Sequence, residues 1–218
     1  AYNYTKNDNL MLLQDKNKSK VEYLEKNDKY DVIGLATPDA TTFRNNWAGP
    51  ATLNTELNTT YLNSLTSEAQ NMIGNTKYYL GGFNTAEIQK DAMYQYERKI
   101  NGSTYYYGSN PNSWVGKLGL MYASDYGYAV SDECTQTLVN YNNATCKNNN
   151  WLFKGNTEWI LPQIAISSNI AFYVYSDGGV HNIGVSAQFA VRPVLYLISS
   201  AQITGGNGTS SSPYTLGL

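Results

Sequence analysis

The last third of the chain is a series of short runs rich in β-branched and aromatic residues, and glycine, proline or aspartate separates each run from the next. Such runs predict short antiparallel strands joined by tight turns. The predicted strands lie at 150–153, 158–161, 171–175, 179–185 and 188–197. We expect these strands to form the main sheet. The fold class then depends on whether the first half of the chain adds helices or more strands.

The first half shows helical spacing instead. Leu53, Leu57 and Tyr61 recur every four residues, which predicts an amphipathic helix. Thr66 or Ser67 is placed to cap a second helix. Other strands are predicted at 10–13, 31–35, 77–80 and 117–122, and other helices at 85–98 and 124–131. Helices early in the chain and a small antiparallel sheet late predict one α+β domain over 1–218, without internal repeats or a linker.

Composition narrows the functional classes. Charged residues make up 15% of the 218 residues and the formal net charge is -2, which gives no basic surface for nucleic acid. The 20 Tyr outnumber the 5 Phe, a bias common in secreted proteins and binding sites. The most apolar stretch, 189–203, is interrupted by Arg192 and Pro193, so we expect no membrane insertion. Because no basic, apolar leader precedes Ala1, we expect that a signal or anchor was removed or never existed.

The two cysteines, Cys134 and Cys146, lie in one polar segment. A zinc site would need closer pairing and more histidines than His181 alone. We therefore predict a disulfide that stabilises the fold by about 3 kcal/mol. A disulfide implies an oxidising compartment, so we expect an extracellular or cell-surface location.

The run 171–175 alternates between two faces of its predicted strand. Phe172 and Val174 share one face, and Tyr173 and Tyr175 share the other. If the next strand continues this arrangement, its outward residues are His181, Ile183 and Val185. Outward aliphatic residues are costly to leave in water, and their mixture with tyrosine and histidine favours a binding surface. The alternative is that helices and long loops bury both faces of the sheet.

Several side chains invite a catalytic interpretation. His181 could act as a general base, but no second histidine or suitably spaced carboxylate accompanies it. Glu158 and Asp177 could form a glycosidase pair, although sequence separation gives no distance in space. Arg192 could bind an anion, but pairing with a buried carboxylate is favoured. We expect the protein not to be an enzyme and assign no catalytic residue.

Several residues in the last third of the chain match the pattern of a known protein family, and we call them the framework residues. These residues are Trp159, Pro162, Ala171, Phe172, Val174, Asp177, Gly178, Val180 and the run 191–197. Together they resemble the C-terminal signature of C-type-lectin-fold domains of the formylglycine-generating-enzyme type, which include the variable proteins of diversity-generating retroelements in Firmicutes and their prophages. Segments 46–64, 117–128 and 205–214 resemble other parts of that family, so the likeness runs from about Leu10 to Leu216.

This resemblance implies an adhesin-type or receptor-type ligand-binding protein whose framework is fixed while a variable region at about 159–191 is diversified. The matching positions are Ile160, Gln163, Ala165, Ile166, Ser167, Ser168, Asn169, Tyr173, Tyr175, His181, Ile183, Val185, Ser186, Gln188 and Phe189. The ligand would be a protein or glycan on another cell, phage or host surface. Some relatives carry a prepilin-type N-terminal helix, so a structural subunit of a pilus or phage tail fibre is the alternative, and a hydrolase is a further one.

The resemblance extends to the fold and not to catalysis. Cys134 and Cys146 do not match the paired catalytic cysteines of formylglycine-generating enzymes. The Glu-Pro-Asn and Trp-Asn-Asp motifs of calcium-dependent sugar binding do not occur in the sequence. We therefore expect no cofactor, with a structural calcium ion held by loop oxygens as the open alternative. The tyrosine-rich loop at 105–107 is expected to flank the binding surface.

Overall fold

In a computed structural model of the protein, the described residues are 10–11, 52–98, 113–165, 170–185, 187–209 and 211–218. The predicted strand at 31–35 and the tyrosine-rich segment at 105–107 lie outside them. The helices are α1 (Thr52–Glu56), α2 (Leu62–Ser64), α3 (Ser67–Met72), α4 (Lys90–Arg98), α5 (Ala123–Tyr128) and α6 (Ala144–Lys147). A π-helical turn at Leu57–Tyr61 joins α1 to α2, and a 3-10 turn occupies Leu138–Asn140.

The strands of the described residues are all short. They are β1 (Leu10–Met11), β2 (Thr76–Tyr79), β3 (Ser113–Gly116), β4 (Leu118–Gly119), β5 (Glu158–Gln163), β6 (Ile170–Val174), β7 (Val180–Gly184), β8 (Val194–Tyr196), β9 (Gln202–Gly205) and β10 (Thr215–Gly217). They pair antiparallel in the orders β1-β8-β4, β5-β6-β7, β2-β3 and β9-β10. The α+β class with small antiparallel sheets is therefore confirmed.

Capping and apolar spacing explain the helices near the start of the described region. Leu53 and Leu57 are buried, as the four-residue spacing predicts. The side chain of Thr66 accepts a hydrogen bond from the backbone N of Ala69 at 3.2 Å, which confirms the predicted cap of α3. Backbone N–H groups at a helix start have no partner within the helix, so this cap fixes where α3 begins.

Two hydrophobic cores lie on opposite faces of the β5-β6-β7 sheet. The first core includes Trp159 and Ala171 together with residues of α1 and β8. The second core includes Ile160 and Phe172 together with residues of α4 and α5. Because neighbouring residues of one strand point to opposite faces, each strand contributes to both cores.

The predicted disulfide between Cys134 and Cys146 is confirmed, with a Cα–Cα distance of 4.9 Å. The loop that it closes packs on α5, where the hydroxyl of Tyr141 donates to the carbonyl of Gly127 at 3.1 Å. The amide of Asn150 donates to the carbonyl of Tyr126 at 2.9 Å. The disulfide thus fixes an irregular segment against the second core.

Several predicted elements are wrong in extent or type. Residues 150–153 form turns instead of a strand, and the strand predicted at 188–197 reduces to β8. Pro193, which has no N–H to donate to a ladder, directly precedes β8. The helix predicted at 124–131 is shorter and starts one residue earlier as α5, and the Asp125 carboxylate accepts from the backbone N of Tyr122 at 3.0 Å.

Candidate ligand-binding surface

Three aromatic residues lie in register across the β5-β6-β7 sheet. Trp159 pairs with Tyr173, and Tyr173 pairs with His181. The centroids of the Trp159 and Tyr173 rings are 6.2 Å apart, and those of Tyr173 and His181 are 5.9 Å apart. Since cross-strand partners share a face, the three rings form a continuous row on the side of the first core.

Tyr175 and Ile183 extend this row into solvent. Tyr175 is 44% exposed and Ile183 is 40% exposed. The ring of Tyr175 is nearly perpendicular to those of Tyr173 and His181, with centroids 6.2 Å and 6.0 Å away. Edge-to-face pairs of this kind stabilise each other by about 0.5–1.5 kcal/mol. These contacts favour one orientation of the Tyr175 ring.

A tight turn fixes the end of the surface where β6 meets β7. Gly178 has a φ of 104°, a left-handed conformation that disfavours side chains other than hydrogen. The backbone N of Tyr175 donates to the carbonyl of Gly179 at 2.8 Å. The carboxylate of Asp177 accepts from the backbone N of Gly179 at 2.9 Å. These bonds position Tyr175 relative to the strand that carries His181.

Phe189 closes the other side of the surface. Its ring centroid lies 4.7 Å from that of Trp159 and 4.7 Å from that of Tyr173. Backbone hydrogen bonds hold the chain on both sides of it, from Ala187 to Gly184 and from Ala190 to Thr157. Phe189 thereby covers the indole of Trp159, which is only 2% exposed.

We name the surface formed by Tyr173, Tyr175, His181, Ile183 and Phe189 the aromatic surface. Of the predicted diversified positions, those at least partly exposed are Gln163, Tyr173, Tyr175, His181, Ile183, Gln188 and Phe189. Positions 166–169 and Ser186 lie outside the described residues. The remaining three predicted positions are buried.

Those three are Ile160, Ala165 and Val185, with exposed fractions of 0%, 2% and 7%. Ile160 faces the second core, on the opposite side of β5 from Trp159. Val185 lies on the same side of the sheet as Trp159 and Ala171, and there the first core buries its side chain. The prediction that Val185 points outward is therefore wrong, and none of the three contributes to the aromatic surface.

The outer face of the sheet was predicted to be either a binding surface or a second buried face. Each alternative holds for part of it. Near Ala171, which is 0% exposed, this face is core. At Tyr175 it faces solvent, and Tyr173 between them is half-buried and packs on the first core. The face therefore changes from core to surface along β6 within five residues.

The predicted pairing of Arg192 with a buried carboxylate is confirmed. Its guanidinium donates to the carboxylate of Glu158 and, at 2.9 Å, to the carbonyl of Leu152. Burial raises the pKa of the Glu158 carboxyl, and the adjacent Arg192 opposes that rise. The carboxylate of Glu158 is thus held in an ion pair, and that of Asp177 is hydrogen-bonded in the turn between β6 and β7. Each therefore has a structural partner.

A second buried polar cluster was missed by sequence reasoning. The carboxylate of Glu97 is 0% exposed and accepts from the side chain and backbone N of Ser124 and from Arg98. Arg98 also pairs with Asp125 at 3.5 Å and stacks on the ring of Tyr122, 3.5 Å from its centroid. Burial raises the pKa of Glu97 to about 7. The consecutive Glu97 and Arg98 at the end of a helix were the only signal in the sequence.

Comparisons of the chain with protein-family models, with curated proteins and with solved structures find no match. Inference about function consequently depends on the chain's own residues. No helix in the described parts of the chain has the length and apolarity needed to cross a membrane. Within those same parts, no cluster of three or more His, Cys, Asp or Glu residues is placed to hold a metal ion, and a structural calcium ion stays an untested alternative.

Proposed function

We propose that this protein is an extracellular ligand-binding protein of the C-type lectin fold, an adhesin or receptor whose binding surface is diversified by a retroelement. The observation that carries the proposal is the aromatic surface, in which Tyr173, Tyr175 and His181 contact one another near the β6–β7 turn of a sheet packed on both faces. Rigid aromatic side chains provide large contact areas at a small cost in side-chain entropy.

The chemistry of the surface supports passive recognition of a protein or glycan. None of the seven partly exposed diversified positions carries a charged Asp, Glu, Lys or Arg side chain. The rings of Tyr175 and Tyr173 offer apolar contact, and the amide of Gln163 and the tyrosine hydroxyls offer hydrogen bonds. In such a surface, buried aromatic anchors supply most of the binding free energy and polar groups adapt to the ligand.

The separation between buried and exposed positions supports diversification. The framework residues Trp159, Phe172, Val174 and Val180 are each at most 2% exposed. Seven of the ten described positions that were predicted to be variable have side chains that reach solvent at least in part. A scaffold that tolerates many sequences needs this division, since surface substitutions usually change stability by less than about 0.5 kcal/mol.

Sequencing the same locus in several isolates tests the proposal. We expect substitutions concentrated at the seven positions, at 166–169 and at Ser186, together with a nearby near-copy of the segment encoding 159–191 and a reverse transcriptase gene. Ile160, Ala165 and Val185 should vary little because they are buried. Substitutions spread evenly over exposed positions throughout the chain would refute diversification.

Sedimentation of the purified protein separates this function from that of a pilus or tail-fibre subunit. A receptor surface awaiting a foreign ligand predicts a monomer, whereas a structural subunit would use the same surface to contact its neighbour. If the protein self-associates, and Tyr175→Ala with Ile183→Ser abolishes the association, the structural alternative replaces the proposal. Exposed side chains such as these tolerate substitution, so the double variant should fold.

A further inference from the structure

In the candidate binding region, the ring of Phe189 lies between those of Trp159 and Tyr173. We call Trp159 and Tyr173 the walls and Phe189 the filler. The centroids of Trp159 and Tyr173 are 6.2 Å apart and their planes are inclined at 78°. Phe189 lies 4.7 Å from each, inclined at 43° to the first ring and 42° to the second. These distances fall in the range of favourable aromatic contact, so one phenyl ring occupies the angle between two others.

The walls and the filler are held differently. Trp159 and Tyr173 are paired partners in neighbouring strands, and the backbone N of Trp159 also donates to the carbonyl of Ala190 at 3.0 Å. Phe189 lies in the segment between β7 and β8, outside both strands. Strand pairing therefore fixes the backbone of both wall residues independently of the Phe189 side chain.

We propose that Trp159 and Tyr173 form a slot for an aromatic ring, that Phe189 fills this slot in the present chain, and that a smaller residue at position 189 opens it to an aromatic group of a ligand. The inference rests on the proposed function in treating position 189 as part of the ligand-contacting surface. It adds that Trp159, a framework residue, contacts the ligand in every variant that has a small residue at position 189.

The ligand group that fits is set by the ring now present. A phenyl or phenol group matches the size of the Phe189 side chain and can make the same contacts with both walls. Apolar cavities left by removing a large side chain bind small aromatic molecules for this reason. Position 189 would then determine whether the surface accepts an aromatic side chain.

The slot is testable with 4-fluorophenol, followed by fluorine NMR. The Phe189→Ala variant should bind this probe with a dissociation constant in the millimolar range, at least about tenfold more tightly than the wild-type protein. Phe153→Ala, which removes another half-buried phenyl ring packed on the second core, is the matched control and should behave as wild type. Adding Tyr173→Leu to Phe189→Ala removes one wall and should abolish binding.

A folded Phe189→Ala variant that binds the probe no better than wild type would overturn the proposal, as would binding that survives Tyr173→Leu. If Phe189→Ala does not fold, Phe189→Val opens the slot less and the same comparison applies. The probe requires no natural ligand, so its failure leaves the sequence comparison of isolates untouched. Conversely, an absence of diversification in the locus would not change the fluorophenol result.

Discussion

Arg192 and Glu158 form an ion pair that joins the start of β5 to the segment preceding β8. Both side chains are largely buried, with exposed fractions of 14% and 6%. Arg192 also donates to the carbonyl of Leu152, so one guanidinium connects three parts of the chain. The pair lies near Ala190, whose backbone bonds to Thr157 and Trp159 position the neighbouring Phe189.

Replacing Arg192 with Met should destabilise the protein by about 3 kcal/mol or more, because it leaves the Glu158 carboxylate buried without a partner. Urea unfolding would measure the loss. Adding Glu158→Gln should recover part of it, since the uncompensated charge is removed. Lys154→Met is the control, because Lys154 is exposed and contributes only a weaker electrostatic interaction to Glu158. Equal effects of Arg192→Met and Lys154→Met would contradict this interpretation.

Removing the disulfide by Cys134→Ala with Cys146→Ala should lower the free energy of unfolding by about 3 kcal/mol, because the unfolded chain gains freedom. The native protein should show no titratable thiol until a reductant is added. Reduced wild-type protein provides a control without a change of side chain. Unchanged stability in both the variant and the reduced protein would show that the loop is fixed by its packing on α5 alone.

Stability should fall as the pH rises from about 5 to 7. The pKa of Glu97 lies near 7 in the folded protein against an ordinary value of 4.5, since burial disfavours the carboxylate. Folding is therefore favoured while Glu97 is protonated, and about 3 kcal/mol is lost as the pH rises through the folded pKa. Burial also raises the pKa of Asp125 and Glu158, which adds slope in the same direction.

Urea unfolding at several pH values tests this dependence. Glu97→Gln should flatten the profile between pH 5 and 7, because the amide has no proton to release. Glu68→Gln is the control, since Glu68 is exposed and its pKa is lowered by hydrogen bonds at the start of α3. A stability that rises over this pH range in the wild-type protein would contradict the expected sign.

Neighbouring residues of one sheet should respond very differently to truncation. Phe172→Ala removes a fully buried ring and should cost about 3–5 kcal/mol. Tyr175→Ala, at 44% exposure, should cost less than about 1 kcal/mol, and Tyr173→Ala should fall between them because its ring packs on Trp159 and Phe189. Thermal unfolding measures all three. A loss at Tyr175 as large as that at Phe172 would show that the aromatic surface is core.

Local chemistry made part of this fold predictable. The Thr66 cap and the disulfide depend on residues close together in the sequence, and both predictions are confirmed. Strand alternation placed Tyr175 on the same face as Tyr173, and its side chain is exposed there. Alternation also gives the side of the sheet on which Val185 lies, but it does not show that the first core covers that side there.

Long-range packing accounts for the rest. Ala171 belongs to a core built partly from α1, more than a hundred residues earlier, so its burial could not be read from its own strand. The cluster of Glu97, Ser124 and Asp125 likewise unites α4 and α5, which are well separated in the sequence. The contact of Phe189 with Trp159 depends on the path of an irregular segment, which periodicity does not describe.

The position of the β5-β6-β7 sheet between two cores has a consequence for how the molecule loses its structure. Ala171 and Phe172 are adjacent in the chain, yet their side chains lie in different cores. Because the strands are shared, unfolding of either core also removes strands from the other. Heating should therefore give a single cooperative transition, with equal calorimetric and van't Hoff enthalpies, although the molecule holds two separate apolar interiors.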